Sequence, residues 1–439
     1  MRLQSVFRAA LFAGVLLTSC ASNDAQPAGP IARVAESTTT TEATDVGVVT
    51  TVVASTALTS TSTTTSAPDT SAPDTTIATS TTTEAAPSTT AAPTALEVAL
   101  RELIPFVEQE RGHRFVTTPS VVQLEGDEFV DAFGAVVERN AERYAADYAN
   151  FTGIYHAMGI ISPDENLEQI WASFGDAGVL GFYDREEKQV FLRGREIDEF
   201  TKIVLVHELV HALDDQVFGI ERPEYDDRDD EISWAFSSVL EGNARYIEYR
   251  YRDTLSSAER AAAAEQQRNL PRGASLRSFT ESFLELQSAK YVHGARLMDE
   301  LWDEGIEAVD AVIVSPPSAS EQVLHPELVL EDEPADSPLS PPPADGPVFE
   351  QGVWGQIGLE SILRDELDPN TAQAAAEGWG GDWYVAWTAG SRTCVRLDVA
   401  MDTPADLDEL AQALEAWSVR GDREIYYPTA DLVRLTTCG

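Results

Sequence analysis

Ile203-Val204-Leu205-Val206-His207-Glu208-Leu209-Val210-His211-Ala212-Leu213 is an apolar run broken only by two histidines and a glutamate. It holds no proline or glycine, so it reads as a helix, and a helix apolar nearly all round is a buried one. Polar groups inside such a helix need partners, because an unpaired buried polar group is costly. Residues four apart share a helix face, so His207 and His211 can converge on one cation with Glu208 beside them. This is the H-E-x-x-H zinc pattern, in which the histidines bind the metal and the glutamate acts as general base. The bland alternative is a chance match, and the buried context argues against it.

Ahead of that core the chain is of a different kind. Arg2 and Arg8 precede or border a short apolar stretch, Ala9 to Leu17, which is too short to span a bilayer and reads as an export signal. It ends in Leu17-Thr18-Ser19-Cys20, which resembles a bacterial lipobox. The resemblance implies a signal peptide over residues 1–19, lipidation of Cys20 and membrane attachment outside the cytoplasm. The alternative is an ordinary secretory signal with an incidental cysteine. Residues 20–94 are dominated by Thr, Ser, Ala and Pro, with near-repeats such as Ser66-Ala67-Pro68-Asp69-Thr70 and Ser71-Ala72-Pro73-Asp74-Thr75. So few large apolar residues cannot build a core, and the segment is expected to be a disordered tether reaching on the order of 50 Å.

The remainder is long enough for one large domain or two lobes. A formal charge of −44 argues against a nucleic-acid partner, and with only three lysines no polybasic patch for anionic lipid is visible. Oligomeric state is not legible. Beyond Cys20 the cysteines are Cys394 and Cys438, one pair in an oxidising compartment, which suggests one disulfide; two free thiols are the alternative.

Periodicity predicts an α+β fold. A strand is expected at Val121–Leu124 and an amphipathic helix at Asp127–Tyr148, with Phe129, Phe133, Val136 and Val137 at helical spacing. A β-hairpin is expected from Val179–Asp184 and Gln189–Leu192, directly before the metal helix. Helices follow near 230–251, 255–267, 276–288 and 291–304. The core is taken as 95–330, a Pro/acidic loop as 331–347, and an α/β part of the same domain as 348–439. In that last part, strands are expected near 383–388 and 392–399 and a helix near 404–418.

The order of hairpin, zinc helix and ligand helix resembles the gluzincin metallopeptidases, the thermolysin-like clan. The likeness is most specific at residues 204–216, Val-Leu-Val-His-Glu-Leu-Val-His-Ala-Leu-Asp-Asp-Gln. It continues at Leu240-Glu241-Gly242-Asn243-Ala244, at Ser320-Glu321-Gln322-Val323-Leu324-His325-Pro326-Glu327, and at Gly378-Trp379-Gly380-Gly381-Asp382. These segments resemble a group of largely uncharacterised, exported bacterial proteins with an H-E-x-x-H core. The resemblance implies a mostly helical zincin-like core and zinc held by His207, His211 and Glu241. It also implies Glu208 as catalytic base and His325 as the group facing the tetrahedral oxygen, with a peptide or protein as substrate.

Physical reasoning supports Glu241 beside the resemblance. Small Ser237, Ser238 and Ala244 share its face and leave room for the zinc helix, and Gly242 permits close backbone contact. Glu231, Asp226 and Asp227 are rivals, but they sit in an acidic loop or helix start, where a carboxylate is usually a cap. Tyr246 is a weaker alternative to His325, which would otherwise be a structural histidine before Pro326. His113, His156 and His293 read as ordinary polar residues. Asp214 or Asp215 could accept the second ring nitrogen of a metal histidine. The resembling group commonly has Glu-Gly-Asp where Asn243 stands, and an amide there would weaken a partner role. The acidic cluster from Glu224 to Glu231 lacks the spacing of a calcium loop. A catalytically silent envelope lipoprotein that keeps the fold as a binding or scaffold module is the competing expectation, and hydrolysis of a non-peptide amide is a third.

Overall fold

The structure, a computed structural model, describes residues 92–174, 179–226, 230–270, 279–419 and 422–439. The expected signal peptide, Cys20 and nearly all of the expected tether lie outside the described residues. From Pro93 onward the chain forms one compact unit. No helix among the described residues is long and apolar enough to cross a membrane.

The architecture is α+β, with helices predominating and two sheets. Helix α1 (Ala95–Arg111) opens on a capping box in which Thr94 and Glu97 satisfy each other's backbone amides. Strand β1 (Ser120–Leu124) leads to α2 (Gly126–Arg143) and α3 (Ala145–Met158). The single helix expected over 127–148 is thus two helices parted at Tyr144, whose backbone leaves the helical region (φ −121, ψ 30). Apolar spacing runs on in phase across the break, so nothing in the pattern announces it. Helix α4 (Leu167–Phe174) precedes the hairpin of β2 (Gly181–Asp184) and β3 (Gln189–Arg193). Strand β1 joins β3 in parallel, which makes a three-stranded sheet of order β1-β3-β2.

The metal helix is α5 (Glu199–Phe218), capped by Asp198, whose carboxylate accepts the Thr201 amide. Every residue from Ile203 to Asp215 is buried. A short α6 (Pro223–Asp226) leads to α7 (Asp230–Thr254), then α8 (Ser257–Arg268), α9 (Glu281–Glu304) and α10 (Ile306–Val314). Helix α9 replaces the two helices expected at 276–288 and 291–304. It runs unbroken through residues 289–290, where the two were expected to part, and farther along it Gly294 is pressed against α7. A Cβ on Gly294 would lie 2.1 Å from the Ser238 carbonyl oxygen, and one on Gly242 would lie 2.2 Å from the Gly294 carbonyl carbon. The close approach at Gly242 is therefore to α9 and not, as expected, to the zinc helix.

Helices α11 (Ser320–Leu324) and α12 (Pro326–Leu330) meet at His325. Beyond them come β4 (Val348–Gly352), α13 (Gln356–Leu363), α14 (Pro369–Ala376), β5 (Trp379–Ala389) and β6 (Arg392–Met401). Helix α15 (Pro404–Trp417), β7 (Arg423–Thr429) and β8 (Leu432–Cys438) complete the chain. The five strands form an antiparallel sheet of order β4-β5-β6-β8-β7. Cys394 and Cys438 are register partners on β6 and β8 and form the expected disulfide, with Cα atoms 4.1 Å apart. The sheet is tied to the helical core through α3, where Thr437 donates to the Ala157 carbonyl at 2.8 Å. Part of the segment expected as a Pro/acidic loop lies against the sheet: the Leu339 amide donates to the Asp382 carbonyl, Arg396 donates to the Pro343 carbonyl and pairs with Asp345, and Ala344 packs by Trp387.

Candidate metal centre

Three elements build the centre. Helix α5 supplies His207 and His211 one turn apart, α7 supplies Glu241, and α9 lies beside both. His207 Nε2 and Glu241 Oε2 are 3.2 Å apart, the two histidine Nε2 atoms are 3.2 Å apart, and His211 Nε2 is 3.4 Å from Glu241 Oε2. These three residues form the one group among the described residues with the spacing to hold a metal ion. Tetrahedral zinc with bonds of about 2.0–2.1 Å sets its ligand atoms about 3.3–3.4 Å apart. The donor triangle has that size, and its chemistry, two imidazoles and one carboxylate, is that of a metal with an open position. The three residues could therefore hold a metal ion of that size.

The electrostatics point the same way. Burial alone would lower the pKa of His207, but hydrogen bonds to Glu241 and Glu248 outweigh it and hold the ring up at about 9. Burial would raise Glu241, yet its hydrogen bonds to both histidines bring it down to about 2. Burial leaves His211 below the usual imidazole value.

Glu208 is fully buried and faces strand β2, where a Cβ on Gly181 would come within 3.2 Å of its Cγ. The hairpin is held there from the other end of α5, because Asp215 accepts from the Tyr183 hydroxyl at 2.5 Å and pairs with Lys188 at 2.8 Å. Asp215 is consequently engaged with the hairpin, and Asp214 with Arg111 at 2.8 Å and the Asn243 amide at 2.7 Å. Neither of these contacts serves a metal histidine, the role expected of one of them. The carboxylate that reaches His207 Nδ1, at 3.4 Å, is Glu248, two turns past Glu241 on α7. Glu248 was missed, although its spacing from Glu241 puts both on one helix face. Asn243 donates to a buried carboxylate and touches no ligand, so its amide does not weaken the centre in the way expected.

Two further residues at the centre were missed. Tyr291 on α9 stacks on His207, with ring centroids 6.1 Å apart, and hydrogen-bonds Glu241. Burial, with the charges of Glu241 and Glu208, raises its pKa well above 10, so it stays a neutral hydroxyl. Lys290 is buried beside it and donates to Gln287 at 3.1 Å; burial lowers it to about 8 against the pull of Glu241. Neither shows in the sequence, where the two are simply polar residues in mid-helix.

Of the rival ligands, Glu231 lies elsewhere. Glu231 accepts the Ser320 amide at 2.5 Å and packs on Gly355. Asp227 and the side chain of Asp226 lie outside the described residues. His325 joins α11 to α12, with Gln356 Nε2 at 3.2 Å, Glu327 at 3.5 Å and Glu377 at 3.6 Å as its ring partners. The structure therefore does not bring His325 to the donor triangle. Its ring fills the structural place that was the alternative reading. Tyr246 stacks on Trp302 and is likewise engaged away from the ligands. His113 pairs with Asp310 at 2.8 Å, and His156 bonds the Glu165 carbonyl at 2.7 Å.

A family model described as a domain of unknown function (DUF8575) matches residues 347–434. That span covers the C-terminal sheet, except the end of β8, with α13 to α15, and contains none of the metal-centre residues. Its Gly378-Trp379-Gly380-Gly381-Asp382 segment has a structural role: Asp382 is buried and accepts from the Trp354 and Gly355 amides and the Trp379 indole at 2.7–2.8 Å. No curated protein and no solved structure matches the chain.

Proposed function

We propose that this chain is a zinc-dependent peptidase of the gluzincin kind, held outside the cytoplasmic membrane through lipidated Cys20. The observation that carries the reading is the donor triangle of His207, His211 and Glu241, with edges of 3.2–3.4 Å, beside the buried carboxylate of Glu208. Zinc bound there supplies Lewis-acid activation of water and of a peptide carbonyl. Glu208 takes the proton of the attacking water and passes it to the departing amine. Tyr291, whose neutral hydroxyl donates to Glu241 with no substrate bound, would turn that proton to the oxygen that gains charge at the tetrahedral carbon, the role first expected of His325. The test is metal analysis of the full chain with digestion of a peptide library by wild type and Glu208→Gln. About one zinc per chain and cleavage by wild type alone are expected. No zinc, or cleavage by both or neither, overturns the proposal.

One observation favours the second reading, a silent scaffold that keeps its metal. His207 and Glu241 are 3% exposed, and His211 and Glu208 are fully buried. A structural site is closed in this manner. That reading expects Glu208→Gln to leave every function of the chain intact.

A further inference from the structure

A histidine that binds a metal through Nε2 must carry its ring proton on Nδ1, and a partner for that proton fixes both the tautomer and the ring plane. We propose that Glu248 is the positioning residue that sets the tautomer of His207; this rests on the metal centre proposed above. His207 comes from α5, but both ends of its ring are received by α7. Nε2 lies 3.2 Å from Glu241, and Nδ1 lies 3.4 Å from Glu248. Two turns of helix separate those glutamates, about 10 Å, a span that admits one imidazole with a contact at each end.

Glu248 is built to stay ionised in that place. It is 1% exposed, and Arg245, one turn before it, bonds both its oxygens at 2.9 and 3.0 Å. Arg252, one turn after it, donates to Oε1 at 3.0 Å. Two guanidiniums on one buried carboxylate favour its charged form. An ionised carboxylate only accepts, so the ring nitrogen facing it must donate. The proton is then on Nδ1, and the Nε2 lone pair points at the ligand triangle. The ring plane is bounded as well: Tyr291 stacks on its face, and the Arg245 guanidinium lies 5.6 Å from the centroid of Tyr291. Asp214 and Asp215, farther along α5, are bonded to Arg111, Asn243, Tyr183 and Lys188.

The test uses the full chain labelled with nitrogen-15 at histidine, with zinc affinity measured by competition against a chromophoric chelator. In the zinc-loaded wild type, His207 is expected to carry its proton on Nδ1. Glu248→Gln is expected to shift that resonance and to raise the zinc dissociation constant about 10–100-fold, with Glu248→Asp recovering part of the loss. A purely structural Glu248 would change neither. Zinc affinity of Glu248→Gln within about twofold of wild type, or His207 bound through Nδ1, overturns the inference. If Glu248→Gln does not fold, Arg252→Gln loosens the carboxylate without removing it; a weaker zinc affinity supports the inference and an unchanged one overturns it. A wild-type chain that binds no zinc overturns the proposed function itself, whereas zinc binding indifferent to Glu248 overturns this inference alone.

Discussion

At the scale of single residues the centre separates chemistry from support. Glu208→Gln keeps the shape of the side chain and removes the base, so cleavage is expected to fall about 10²–10⁴-fold with zinc content unchanged; steady-state rates with metal analysis check this. Asn243→Asp tests the support. It would set a second carboxylate where an amide now donates to Asp214 at 2.7 Å, in a buried place. A loss on the order of 3 kcal/mol is expected in denaturant unfolding, and an unchanged midpoint would contradict the assignment. A third residue reports on pH. Burial, and then the neighbouring Asp336 carboxylate, push Glu321 up from 4.5 to about 7. The folded state therefore binds this proton more tightly than the unfolded chain. The stability it contributes is whole below about pH 4.5 and is lost as pH rises through about 7. Glu321→Gln should match wild type near pH 4 and be the more stable protein near pH 8, as thermal melts across that range will show.

At the scale of elements, the crossing of α7 on α9 sets where Glu241, Glu248 and Tyr291 stand. Gly294→Ala would put a methyl 2.1 Å from the Ser238 oxygen and force the helices apart. Overpacking of this sort costs about 1–3 kcal/mol, and here it should also weaken zinc binding, which a melt and a zinc titration of the variant will measure. The helices and strands with strong periodicity were legible: α5, α7, α8, the hairpin, β5, β6 and α15 fall close to their expected places. Two local signals misled. Tyr144 parts α2 from α3 with no change of apolar phase, and α9 runs unbroken across residues 289–290, where two helices were expected to part. Strands β4, β7 and β8 were missed, because edge and near-edge strands of a sheet alternate weakly, as in Arg423-Glu424-Ile425-Tyr426-Tyr427. In the centre, His207 and His211 were legible because their spacing is local to a helix, and Glu241 was reached through the resemblance and the small residues around it. Lys290, Tyr291 and the true places of His325 and Asp214 were not, since these depend on which helix packs on which.

At the scale of the whole molecule, the described chain joins a helical core, which carries the candidate metal centre, to a C-terminal sheet. The disulfide closes that sheet, its cysteines separated by 44 positions in sequence. Its reduction is expected to lower stability by about 4 kcal/mol, read as a drop in unfolding midpoint, and to leave zinc content unchanged because the centre lies in the other part of the unit. The core and the sheet share α3, so unfolding should remain a single transition in both redox states. The most direct measurement of the central claim is zinc-edge X-ray absorption on the full chain. The account predicts one zinc with two imidazole nitrogens and light oxygen donors at about 2.0–2.1 Å and no sulfur, and a loss of this shell in Glu241→Ala. An absence of zinc, a sulfur shell, or a spectrum unmoved by Glu241→Ala would contradict it.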